Sequence, residues 1–278
     1  NRYFSELPET VRERIQNTLI PVTRIEGLQD NRAAVYELFR RYNTGGTNLN
    51  GAEIRHAVFH ENPCHQALFR LAGEDRMKDE YSQEIKRVRE LLRISKKGAK
   101  GFSTYDKICR YFGYKYSTKG MTTSIAIHNF FELHDAEDLA SGLAKEFIKT
   151  AELCHDLFGP KYRFSKIKED GTPGGFAAWA YTIQMIGARH ILDAHPDTKS
   201  KILEEEGVVI PIWTEFYMEH VFNQRQNSTT LWGSQEEWVR RLENWINNSF
   251  SDTEKESAIN LLSEMEPQLR RGAINKLK

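Results

Sequence analysis

Between Phe176 and Ile191 apolar residues crowd so closely that one fold class follows. Phe176, Trp179, Ala180, Ile183, Ile186, Gly187 and Ile191 recur at helical spacing and leave a helix there little polar face. Such a helix has to be covered on most sides, which calls for amphipathic helices around it. Leu143, Phe147, Ala151, Cys154 and Phe158 supply one stripe, and Ile212, Trp213, Phe216, Tyr217 and Val221 a second. Trp238, Leu242, Trp245 and Ile246 supply a third, for which Ser234 reads as an N-cap. Five tryptophans and 39% hydrophobic residues in 278 allow a sizeable core. The expected fold class is mainly α, a helical bundle.

Nearer the start, Pro8 opens a short helix through Ile15, and Leu19–Ile25 reads as a short strand that Pro21 confines to a sheet edge. Helices are expected over 32–42, 51–59 and 63–71. The stretch from Lys166 to Gly175 is rich in Lys, Glu, Asp, Gly and Pro and reads as an exposed loop. Residues 251–278 read as one or two amphipathic helices. The expected division is 1–71, a helical domain over 72–250, and the tail 251–278.

Composition closes several routes. The net charge is zero, so a nucleic-acid site has to be local. No apolar run reaches the roughly 18 residues of a membrane span, and no signal-peptide pattern opens the chain, so no membrane partner is expected. Cys64, Cys109 and Cys154 are odd in number and widely spaced, which fits free thiols in a reducing cytosol. The expected location is therefore cytoplasmic. No Walker A, Gly-x-Ser-x-Gly or Cys/His nucleophile pattern is present.

Between two of the early helices lies a polar loop with paired glycines, Asn43-Thr44-Gly45-Gly46-Thr47. Gly45 and Gly46 permit left-handed backbone angles, and Asn50 with Glu53 reads as a capping-box variant that starts the next helix. Free N–H groups at a helix start beside a glycine turn suit an anion such as phosphate. Arg41 and Arg55 flank the loop and suit phosphate too, although Arg41 and Glu53 pairing with each other is as ordinary. The plain alternative is a turn that binds nothing.

Read as one string, Phe39, Arg41, Asn43, Thr44, Gly45, Gly46, Thr47 and Leu49, then Glu53, Ile54 and Arg55, resemble a known signature. It is that of the GmrSD-type restriction endonuclease N-terminal domain family, also called domain of unknown function 262. The approach from Leu7 and Pro8 to Ile25 is similar to that family's, and 147–164 resembles its helical half more loosely. The resemblance implies a bacterial defence protein that acts on foreign or modified DNA under nucleotide control. It implies that Arg41, Asn43, Thr44, Gly45, Gly46, Thr47, Glu53 and Arg55 line or buttress a pocket for a nucleoside triphosphate with Mg2+.

Two family features are not found in this chain. One is the Asp-Gly-Gln-Gln-Arg motif of a ParB-like α/β segment, which the 19–25 strand would complete. That segment is expected upstream in the same polypeptide or in a partner chain. The other is a His-Asn-His nuclease domain, which His128-Asn129 and His134 only imitate within an apolar helix. No residue of this chain is therefore expected to be catalytic, whatever the whole protein hydrolyses or cuts.

Residues 86–119 differ in character from the rest. Basic residues far outnumber Glu90 and Asp106, and Phe102, Tyr105, Tyr111, Phe112, Tyr114 and Tyr116 are interleaved with them. Cations neutralise phosphates and aromatics stack on bases, so Lys96, Lys97, Lys100, Lys107 and Arg110 are the expected DNA contacts. The alternative is a solvated helix face over buried Val88, Leu91 and Leu92, with the aromatics anchoring the next helix.

His190 and His195 with Asp193 lack the i, i+4 spacing of a helical metal pair, and Pro196 follows at once. Histidines at a helix C-terminus, against its dipole, are the reading here. His56 and His60 have that spacing but no matching carboxylate set, so no metal is expected. The competing function is a non-catalytic helical interaction module, whose basic block docks an acidic partner and whose tryptophan-rich helices drive homo-oligomer formation.

Overall fold

The computed structural model describes residues 3–19, 26–27, 31, 34–35, 37–38, 41, 49–74, 83–94, 102–196, 202, 209–222 and 228–250. In chain order its helices are α1 (Glu9–Gln16), α2 (Gly51–Phe59), α3 (Pro63–Leu71), α4 (Gln83–Leu91), α5 (Ser103–Tyr116), α6 (Thr123–Leu133) and α7 (Glu137–Tyr162). Strands β1 (Ser165–Ile167) and β2 (Pro173–Phe176) follow, then α8 (Ala178–Ala194), α9 (Val209–His220) and α10 (Ser228–Phe250). The protein is mainly helical, as the apolar stripes require.

Helix α8 is the hub. It packs against α5, α7 and α10, and Tyr181, Ile183, Met185 and Ile191 are fully buried along it. Its contact with α10 is close because Gly187 has no side chain: a Cβ there would lie 2.3 Å from the Trp238 indole nitrogen. Helices α5 and α6 meet in the same way, with a Cβ on Gly113 falling 2.9 Å from the Ile127 backbone nitrogen. Small residues at such crossings let two backbones approach closely and bury the larger side chains on either side.

Helix α7 stops being helical at Gly159, whose φ of 59° lies in the left-handed region, and Pro160 follows. The chain then turns through Phe164 into β1. The buried Gln184 of α8 holds this corner, its oxygen accepting from Phe164 N–H at 2.7 Å and its amide donating to the Tyr162 carbonyl at 3.3 Å.

Two expectations need correction. The segment expected to be an exposed loop over 166–175 is largely an antiparallel hairpin of β1 and β2. At its tip Asp170 accepts from Thr172 N–H at 2.9 Å and Gly171 has φ 74°, while Gly174 and Gly175 lie in β2. Ser234 is not an N-cap, because α10 begins at Ser228 and encloses it. The starts of α2 and α3 fall where the capping residues placed them. The 19–25 strand and the 251–278 tail lie outside the described residues, except for exposed Leu19.

Candidate functional site

The described half of the glycine-loop motif runs into α2. Asn50 caps that helix, its side-chain oxygen accepting from Ala52 N–H at 2.9 Å and Glu53 N–H at 3.0 Å. Glu53 reaches back to accept from Asn50 N–H at 2.7 Å. This reciprocal box is what the Asn50/Glu53 spacing predicts. It also removes part of the expected anion site. Two of the N–H groups at the helix start already have an acceptor, and a carboxylate sits beside them. An anion near this loop would have to rely on the backbone of 43–47, residues that lie outside those described.

Arg55 does not face solvent. It is 3% exposed, and its guanidinium pairs with the carboxylate of Asp106 on α5. Gly51 makes room for it, since a Cβ at that position would sit 3.2 Å from Arg55 Nη1. The expectation that Arg55 binds phosphate is therefore corrected to an internal role: it ties the motif to the helical core. Arg41 pairs with Glu37 one turn earlier, at 2.8 Å, rather than with Glu53. Asn43, Thr44, Gly45, Gly46 and Thr47 are not among the described residues.

Around Arg55 lies an aromatic and histidine cluster. His65, 1% exposed, stacks near His56 and Phe69 and meets Tyr105 and Phe131 edge-on. Burial, reinforced by His56, His60 and Arg55, pushes the His65 pKa down to about 3, so this imidazole is neutral at physiological pH. His56 and His65 approach ring nitrogen to ring nitrogen at 3.4 Å. His128 is buried and pairs with Glu132 at 3.3 Å, while His134 bonds the Phe130 carbonyl at 2.9 Å. His128 lies within α6 and His134 just past its end, at the C-cap.

The basic block is divided by the fold. Tyr105, Tyr111 and Phe112 are fully buried and Tyr114 nearly so, hence they pack the core and present no face for a base. Lys107 is half-buried over the Phe176 ring, 5.2 Å from its centre, and burial lowers its pKa. Arg110 donates through Nε to Thr182 on α8 at 2.8 Å. These two expected DNA contacts, both partly buried, link α5 to its neighbours. Lys96, Lys97 and Lys100 lie outside the described residues.

Other cations of the block find acids from distant elements. Arg87 pairs with Glu152 at 3.2 Å, Lys115 with Glu146 at 2.7 Å, and Lys119 with Glu236 at 2.6 Å. Arg93 donates to the Arg163 carbonyl at 3.0 Å. Three cations of the block are thus paired in space with acids remote in sequence. Counting charges along the chain could not find Glu146, Glu152 or Glu236, which are remote in sequence. Asp106 did carry a signal, as one of two acids in the basic run.

A cleft of about 670 Å³ opens where the end of α5 meets α8 and α10, lined by Tyr114, Lys115, Arg189, His190, Trp232 and Val239 among others. At its edge His190 contacts Glu243 of α10, and His195 lies 3.0 Å from both Glu243 oxygens. Burial raises the Glu243 pKa, but the hydrogen bonds of His195 and His190 outweigh that and hold it below its usual value. Asp193, the carboxylate adjacent in sequence, is occupied by Arg189 at 2.7 Å.

Compared with protein-family models, curated proteins and solved structures, the chain finds no match in any of the three. No helix among the described residues is long and apolar enough to cross a membrane.

Proposed function

We propose that this chain is the helical part of a bacterial, restriction-like defence protein that acts on foreign or modified DNA under nucleotide control. Its own task in that reading is to carry the 43–47 loop on a rigid base, where the loop completes a pocket for a nucleoside triphosphate with Mg2+. The observation that supports it is the ion pair that buried Arg55 makes with Asp106 of α5. A plain turn between two helices has no need of an internal ion pair, whereas a binding loop gains from a base that cannot rock. The Asn50–Glu53 box adds to this by setting the first turn of α2.

Catalytic groups would come from the ParB-like segment and, for cutting, from a nuclease domain, in the same polypeptide or in a partner chain. Contact with DNA would fall to Lys96, Lys97 and Lys100. The test is Mg2+-nucleotide binding by the protein carrying this chain together with that segment, comparing the parent with Asn43→Ala and Gly45→Val. Loss of binding in folded variants supports the reading, and unchanged binding sinks it.

A second reading has its own support. The core position of the basic block's aromatics, and the pairing of its cations, suit a non-catalytic interaction module. Stable self-association with indifference to both nucleotide and DNA would select it.

A further inference from the structure

We infer that His190, His195 and Glu243 form a binding site for one divalent transition-metal ion of the zinc type. The three side chains offer two imidazole nitrogens and a carboxylate oxygen, with all ligand atoms within 4.8 Å of one another. Donors on a tetrahedral zinc with bonds of about 2.0–2.1 Å stand roughly 3.3 Å apart. The 3.0 Å from His195 Nε2 to each Glu243 oxygen is close to that spacing, and His190 has only to withdraw slightly from Oε1 to admit an ion.

The fold explains why an unpromising spacing converges. Helix α8 ends at Ala194, and His195 leaves helical geometry with φ −130° and ψ 48°. That turn brings the His195 ring back to 6.0 Å from the His190 ring, although the pair is not i, i+4. The carboxylate comes from α10, whose position against α8 is set by the tight Gly187–Trp238 contact. Donors from two elements are therefore held by a packed interface, which pre-arranges them for an ion.

Exposure fits as well: the side chains of His190, His195 and Glu243 are 29%, 18% and 30% exposed, open enough for entry and sheltered enough to matter. Two imidazoles with one carboxylate favour zinc and its neighbours over Mg2+ or Ca2+, which prefer all-oxygen sets. Three protein donors leave one position of a tetrahedron for water or for a molecule in the adjoining cleft, which His190 also lines. Among the described residues no other set of three His, Cys, Asp or Glu side chains converges in this way. The site is built by α8 and α10, and it is independent of the nucleotide reading.

The test uses the chain without a histidine tag, stripped with chelator and titrated calorimetrically with zinc chloride. One equivalent should bind, and His190→Ala or Glu243→Gln should weaken binding by roughly tenfold or more. Cobalt should give the visible bands of a tetrahedral nitrogen and oxygen site. His195→Asn should abolish them and serves as the second variant if Glu243→Gln fails to fold, with folding followed by circular dichroism. His60→Ala, at an exposed histidine elsewhere, should leave affinity unchanged. No stoichiometric zinc binding, or equal affinity in folded His190 and His195 variants, overturns the proposal.

Discussion

Arg55 and Asp106 stand 51 residues apart in sequence and meet as an ion pair whose two ends live in different surroundings. The Arg55 side chain is 4% exposed, while that of Asp106 is 46% exposed. The cation is committed to the interior and the anion remains in touch with water.

Removing Asp106 should therefore hurt more than its own exposure suggests. Arg55 cannot shed its proton, and breaking an ion pair whose cation is buried costs up to about 3–5 kcal/mol. Water reaching the Asp106 side should hold Asp106→Ala near the lower end. Urea unfolding of the two proteins measures this directly; a difference below about 0.5 kcal/mol would reduce the pair to a surface contact. Arg55→Met with Asp106→Leu should recover much of the loss.

Gly187→Ala should destabilise the α8–α10 crossing. The new methyl would meet a fully buried indole, and overpacking of this kind costs about 1–3 kcal/mol. Thermal unfolding would show a lowered midpoint, together with an altered near-ultraviolet signal from Trp238. Parent-like stability would mean that the helices cross farther apart than described.

His65 should make the protein acid-sensitive. Its folded pKa of about 3 lies below the unfolded value of 6.5, so below pH 6.5 the unfolded chain takes up a proton that the native state refuses. The stability it supports is complete above about pH 6.5 and falls by about 1.4 kcal/mol per unit as pH drops toward 3. His65→Phe, set among Phe69, Tyr105 and Phe131, should flatten that part of the profile. Parallel profiles for parent and variant between pH 6.5 and pH 4 would refute the assignment.

For DNA, the block should divide by position. Lys96, Lys97 and Lys100 replaced together by alanine should reduce the salt dependence of duplex binding by up to about three phosphate contacts. Arg110→Ala should leave affinity almost unchanged and lower stability by about 1 kcal/mol through the lost Thr182 bond. Equal losses of DNA affinity from both substitutions would contradict this division.

What could be read from the sequence depended on how far each determinant reaches. The Asn50–Glu53 box and the Pro63 start are local, and α2 and α3 begin where they say. The apolar density of 179–191 marked the central helix because periodicity reports burial on one element, whereas Phe176, read into the same stripe, belongs to β2. Partners from elsewhere left no such trace. Nothing near Arg55 announces Asp106 as its counter-ion, and nothing near His190 announces Glu243. Charge density along 86–119 left the same gap, since Glu146, Glu152 and Glu236 arrive from α7 and α10 to pair with three of its cations. The hairpin was missed because strands of three and four residues carry too little alternation to stand out from a polar loop.

The three cysteines have a practical consequence. Each is fully buried, and burial pushes the Cys64 thiol up to about 11 and those of Cys109 and Cys154 higher still. A folded molecule thus offers a thiol reagent almost no thiolate to attack. Cys64 on α3, Cys109 on α5 and Cys154 on α7 become clocks placed in three parts of the core. The order in which they take up label would record which helices part first when the protein opens.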